Sequence, residues 1–102
     1  MKVTHTTPYG TFEWDSNKNV WNIQKHGIDF RDAVEVFSDE RAVLRYDVAH
    51  SEEEERFLIV GMLRGVIITA IVFTDRGNIT RLISARKATQ EEVLDYEQNY
   101  RN

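Results

Sequence analysis

A chain of 102 residues, 41% hydrophobic and 29% charged, has the composition of one soluble globular domain with a single modest core. It has no cysteine, and its three histidines, His5, His26 and His50, match no zinc spacing; disulfides and thiolate metal sites are excluded and no metal or other cofactor is expected. The net charge of −4 argues against simple charge-driven binding of nucleic acid, and no apolar run approaches the roughly 18 residues a membrane span needs, so no membrane partner and a cytoplasmic location are expected.

Met1 to Thr11 is polar, holds the lone Pro8 and shows neither helical nor strand period, which reads as a loose or edge-extending leader without signal or anchor character. Phe12 to Trp14 can form a short strand, after which Asp15 or Ser16 caps a helix over Asn17 to His26 that Gly27 ends. At 100° per residue Val20, Ile23 and Gly27 share one side of that helix, and Lys18, Asn22 and Lys25 line the other. Asp29 caps a second helix, whose Phe30, Ala33, Val34 and Phe37 recur at i, i+3, i+4 and i+7 as a stripe facing a sheet.

Four stretches rich in β-branched residues follow: Ala42 to Val48, Arg56 to Leu63, Val66 to Thr74 and Asn78 to Ala85. Arg64-Gly65 and Asp75-Arg76-Gly77 supply turn glycines, so the last three strands are predicted to form an antiparallel meander. Only the acidic loop Ala49 to Glu55 is long. Val66 to Phe73 is apolar on both faces and is predicted to be the central strand. Thr89 and Glu92 make a capping box for a last helix to about Tyr100, with Val93, Tyr96 and Tyr100 on one face. The expected fold is α+β, a single domain over 1–102, with two N-terminal helices on a four-stranded, mainly antiparallel sheet and a C-terminal helix.

Charge is distributed unevenly. Ile28 to Glu55 holds ten acidic and three basic residues, whereas Arg56 to Thr89 holds six basic residues and one acidic residue. Either the strands present a basic surface to an anion, or the two halves pair internally. The run Glu52 to Glu55 reads as a solvated loop or as a docking surface for a basic partner.

The segment Ile79 to Ala88 places Arg81, Ser84, Arg86 and Lys87 at the end of an apolar strand. Period two puts Ser84 and Arg86 on one face and Arg81 on the other unless a bulge re-aims one of them. Either arginine can instead pair with a carboxylate such as Glu91 or Glu92. Lys25 and His26 end a helix, where His26 can act as acid or base and where a cation is favourable through the helix dipole alone. Trp14 and Trp21 can stack on bases or fill the core.

The segments FEWDSNK, NIQKHGIDFRDAVEVF, HSEEEERF and ITRLISARKATQEE, in this order and with these gaps, resemble the BrnT family of toxins, over Phe12 to about Tyr96. The family's motif positions correspond to Trp14, Asp15, Lys18, Asn22, Lys25, His26 and Gly27, and then to Arg81, Ser84, Ala85, Arg86 and Glu91. Asp39-Glu40 departs from the Asp-Pro common in the family. The resemblance implies a fold similar to the RelE-like ribonuclease toxins, RNA cleavage that halts translation, and a BrnA-type antitoxin in a heterotetramer of two toxins and two antitoxins.

A reaction without a metal would run by attack of the RNA 2′-hydroxyl on the adjacent phosphate. The expected catalytic set is His26 as base or acid, Lys25 and Arg86 as phosphate cations, Arg81 as a second cation or sheet anchor, and Ser84. Lys18, Asn22, Trp14 and Lys87 are expected to bind RNA. The alternative is a non-catalytic protein-interaction module with the same fold. A DNA-binding regulator acting alone is disfavoured because the second helix is acidic; promoter DNA would be reached only through the antitoxin complex.

Overall fold

A computed structural model describes residues 1–47 and 54–101, with the backbone alone at 100 and 101. Loop positions 48–53, and with them His50, most of the predicted acidic loop and Glu52–Glu53 of its proposed docking run, lie outside the described residues. The elements are β1 (Lys2–Thr7), β2 (Gly10–Asp15), α1 (Ser16–His26), α2 (Phe30–Ala33) running into a 3-10 turn (Val34–Ser38), β3 (Val43–Tyr46), β4 (Phe57–Leu63), β5 (Ile67–Arg76), β6 (Ile79–Lys87) and α3 (Gln90–Arg101).

The sheet has six strands in the order β1-β2-β6-β5-β4-β3, with β2 parallel to β6 and every other pair antiparallel. This corrects the expected four-stranded sheet with two leading helices. The polar stretch before Phe12 forms an edge strand in register with β2, and both strands precede α1. A weak period hides such a strand because its outer edge faces water and needs no apolar alternation. The antiparallel meander of β4, β5 and β6 and the interior position of β5 are as predicted, and β3 extends the meander by pairing with β4. At the β4–β5 turn, between the paired Leu63 and Ile67, Arg64 and Gly65 both adopt positive φ, 55° and 66°, and Val66 N donates back to the Leu63 carbonyl at 3.0 Å.

One face of the sheet carries the main core. Phe12, Trp14, Ile59, Leu63, Ile71, Phe73, Leu82 and Ala85 pack there against Ile28, Phe30, Ala33, Val34 and Val36. Phe37 bridges Phe12 and Phe73 at ring distances of 4.9 and 5.1 Å. Burying Phe12 and Phe30 contributes about 1.5–3 kcal/mol each. The predicted apolar stripe of the second helix is therefore core, although it winds as one α turn and then a tighter 3-10 turn. The opposite face is covered in part by α3, through Tyr96 over Val60 and Ala70.

Side chains complete the sheet where strands run out. Strand β2 pairs with β6 only from Thr11↔Ile79 to Glu13↔Arg81, which leaves the later edge of β6 open. Asn22 fills it: its Oδ1 accepts from Ala85 N at 3.1 Å, and its Nδ2 donates to the carbonyls of Ala85 and Ile28, both at 2.9 Å. Helix α1 thus turns Asn22 inward, while Val20, Trp21 and Ile23 are exposed. The apolar side read from the helical wheel points outward because two backbone groups of Ala85 at the β6 edge and the Ile28 carbonyl demand an amide more than the core demands a valine. At the other end Asp39 accepts from Met62 N at 2.9 Å, Arg41 N at 2.9 Å and Tyr96 Oη at 2.6 Å, tying β4 to α3.

Helix α3 starts with the predicted capping box: Thr89 N donates to Glu92 Oε1 at 2.8 Å and Glu92 N to Thr89 Oγ1 at 3.2 Å. Burial pushes the Asp39 carboxyl up, but hydrogen bonds from Tyr96, Met62 and Arg41 outweigh it and hold the group below its ordinary value. The Arg86 guanidinium does the same for Glu92, against burial and with help from Thr89.

Three outcomes are expected. Replacing Asn22 with Ala leaves buried backbone groups unpaired and lowers unfolding free energy in urea by about 1–3 kcal/mol or more. A Cβ at Gly61 would stand 2.9 Å from Val36 Cγ1, a stiff neighbour, so Gly61→Ala destabilises by about 1–3 kcal/mol in the same assay. Because Asp39 and Glu92 have lowered folded pKa values, their contribution is complete above their unfolded values of about 4 and is lost as pH falls through the folded ones; urea midpoints between pH 7 and pH 3 should drop, less so in Asp39→Asn.

Candidate active site

Strand β6 contains one extra residue. Val72 pairs with Ser84 but Phe73 pairs with Leu82, which leaves Ile83 as a bulge. Leu82 and Ala85, three apart, consequently both face the main core. Arg81, Ser84 and Arg86 share the opposite face, since their partners Thr74, Val72 and Ala70 alternate along β5. The bulge supplies the geometry that strict alternation denies.

On that face, beside α3, lies an open groove of about 460 Å³. Its lining runs across four strands: Arg45 of β3 opposite Leu58 of β4, then Val72 of β5, then Ser84 of β6. Arg86, Arg56, Tyr46, Asp47 and Ile83 complete it. Three guanidinium groups therefore surround an apolar floor, which suits an anion carrying flat or apolar groups.

The cations are engaged within the molecule. Arg86 holds Glu92 with both terminal nitrogens, at 2.7 and 3.0 Å, and this pairing raises the Arg86 pKa further against the effect of burial. Arg45 pairs with Asp95 of α3. Arg81 lies off the groove and donates to the buried Glu13 carboxylate at 3.0 Å, with Lys2 3.7 Å from the other oxygen. Arg64 pairs with Asp32, and Arg76 with Glu54. The uneven charge along the sequence is thus used largely for internal pairing, two of the pairs joining the acidic and basic segments directly.

The predicted site residues divide accordingly. Ser84 and Arg86 line the groove. Lys87 is exposed at the end of β6, where its carbonyl accepts from Arg86 at 3.3 Å. Lys25 and His26 end α1 and do not line the groove; the Lys25 ammonium stands 4.7 Å from the Trp21 ring. Among the described residues no hydrogen bond or ion pair joins them to Arg81, Ser84 or Arg86. Lys18 is exposed on α1.

Two of the residues expected to bind RNA are buried in this structure. Trp14, 1% exposed, packs edge-on against Phe30 at 6.0 Å in the main core, out of reach of any base. Asn22, also 1% exposed, spends its amide on the β6 edge. Sequence reasoning missed Arg45, Tyr46, Asp47 and Arg56. The available signal was an arginine on each side of the acidic loop, Arg45 in β3 and Arg56 just before β4. Among the described residues no group of three or more His, Asp or Glu side chains is placed to hold a metal ion, and no helix is long and apolar enough to cross a membrane.

Comparison with known proteins agrees with this architecture. Residues 14–92 match the family model described as the ribonuclease toxin, BrnT, of type II toxin-antitoxin systems. Among solved structures, the chain is similar to the Brucella abortus ribonuclease toxin BrnT, with 34% identity and a TM-score of 0.60 over 76% of this chain and 94% of that one. No curated protein sequence matches. The chain belongs to the BrnT family of ribonuclease toxins of type II toxin-antitoxin systems.

Proposed function

We propose that the chain is an endoribonuclease that binds a single RNA strand in the groove between β3, β6 and α3 and cleaves it by 2′-hydroxyl attack on the adjacent phosphate. One observation carries this reading: Arg45, Arg56, Arg86 and Ser84 line one groove with Tyr46, on a face from which the sheet's main core is absent. The guanidinium groups stabilise charge that develops on the phosphoryl oxygens, and Ser84 Oγ is a further donor to them. Asp47 and Tyr46 are the lining groups able to exchange a proton, in place of His26 at the end of α1. The products are a 2′,3′-cyclic phosphate and a 5′-hydroxyl. No divalent ion is required in this scheme.

Membership of a type II system implies a protein antitoxin. We propose a BrnA-type antitoxin in a two-plus-two heterotetramer, release from which stops translation through RNA cleavage, with promoter DNA contacted only through that complex. The competing reading is a non-catalytic interaction module, favoured by the pairing of Arg64, Arg76, Arg81 and Arg86 with internal carboxylates.

The test is end-labelled RNA incubated with antitoxin-free protein in excess EDTA. Cleavage is expected to persist and to fall by about 100-fold or more in Arg86→Ala with the fold retained by circular dichroism. Loss in His26→Ala but not in Arg86→Ala would move the site to the end of α1. RNA left intact by a folded wild-type protein would favour the interaction module or a toxin that cleaves only on the ribosome.

A further inference from the structure

Helix α3 sets two carboxylates one turn apart, Glu92 and Asp95, over the two walls of the groove. Glu92 engages Arg86 of β6 through both oxygens, and Asp95 engages Arg45 of β3. Arg45 and Asp95 are 40% and 33% exposed, whereas in the other pair Arg86 is 32% and Glu92 only 9% exposed, so an incoming anion meets the arginine side of both pairs at the groove rim. Beyond these pairs, Tyr96 packs on Val60 and Ala70 with its hydroxyl on Asp39, and Asn99 donates to the Arg41 carbonyl. The family match ends at residue 92, so Asp95 and Tyr96 belong to a part of this chain that the match does not cover.

We propose that Glu92 and Asp95 form an anionic cover that occupies the positions of two substrate phosphates, and that Arg45 is a second phosphate-binding residue alongside Arg86. The inference rests on the reading of the groove as the RNA site. Carboxylate and phosphodiester are alternative bidentate partners for a guanidinium, and each arginine is exposed enough to change partner without unfolding the strand beneath it. Binding of RNA then displaces the two carboxylates from their arginines, Asp95 toward water and Glu92 onto its capping bond with Thr89 N, and the cover sets the affinity threshold of the toxin. A purely structural role for these pairs predicts the opposite result on neutralisation, because breaking them would loosen α3 and weaken the groove.

The test measures binding of a fluorescent, non-cleavable 2′-deoxy oligonucleotide by anisotropy and of tripolyphosphate by calorimetry, for the full chain and for Asp95→Asn, Glu92→Gln, Arg45→Ala and Arg45→Lys. Asp95→Asn and Glu92→Gln keep the shape of each side chain and are expected to tighten both probes by about threefold to tenfold. Arg45→Ala should weaken oligonucleotide binding and reduce the slope of log K against log salt by about 0.7, the single-strand value for one phosphate contact, with partial recovery in Arg45→Lys. Thermal melts identify any variant whose α3 has come loose; for such a variant the salt slope of Arg45→Ala decides. Oligonucleotide binding that is unchanged in Arg45→Ala, or unchanged or weakened in folded Asp95→Asn, overturns the inference while leaving the RNA reading intact. Tripolyphosphate binding that follows the variants with no oligonucleotide binding by any of them upholds the covered anion site and removes RNA as its ligand. Binding of neither probe by any variant overturns the inference.

Discussion

The hydrogen bonds between the Asn22 amide and the edge of β6 hold the rest of the architecture in place. Strand β2 contributes Phe12 and Trp14 to the core but pairs with β6 over three residues only, and a sheet edge buried beyond that point would carry unsatisfied N–H and C=O groups. One side chain satisfies the Ala85 N–H together with the carbonyls of Ala85 and Ile28. In doing so it fixes α1 alongside β6 and sets its rotation, so that Trp21 faces water at 58% exposure. Because α1 serves the edge and α2 with its 3-10 turn covers one face, the other face is left to α3 and the groove.

The second determinant is the extra residue at Ile83. Without it the alternation of β6 would place Arg81 and Arg86 on opposite faces. With it they share a face but take separate roles: Arg81 locks β6 to Glu13 of β2, and Arg86 stands at the rim of the groove facing α3. A bulge in this position therefore separates a structural arginine from one that can meet a ligand, although both lie in one short segment of sequence.

Much of this was legible in the sequence. The meander, its glycine turns, the core stripe of Phe30, Ala33 and Val34, and the capping box at Thr89 and Glu92 follow from local rules that depend on neighbouring residues. Strand β1 was not legible as a strand, because its partner is β2 on one side and solvent on the other. The orientation of α1 was misread, because a helical wheel weighs side-chain hydrophobicity and cannot register three backbone groups supplied by segments as distant as residue 85. The groove was only half legible. Ser84 and Arg86 belong to one strand segment whose charges stand out in the sequence, whereas Arg45 and Arg56 join them through strand register, which a bulge and two hairpins must first establish.

The parallel pairing of β2 with β6 joins residues 11–13 to residues 79–81 in the interior of the sheet. A chain emerging vectorially from a ribosome would hold Phe12 and Trp14 without their final neighbours until residues 79–81 had been made. The main core, and with it the support beneath the groove, would therefore close only after β6 has emerged. For a protein whose family acts on RNA, that order withholds a competent surface until the chemistry-bearing strand is itself in place.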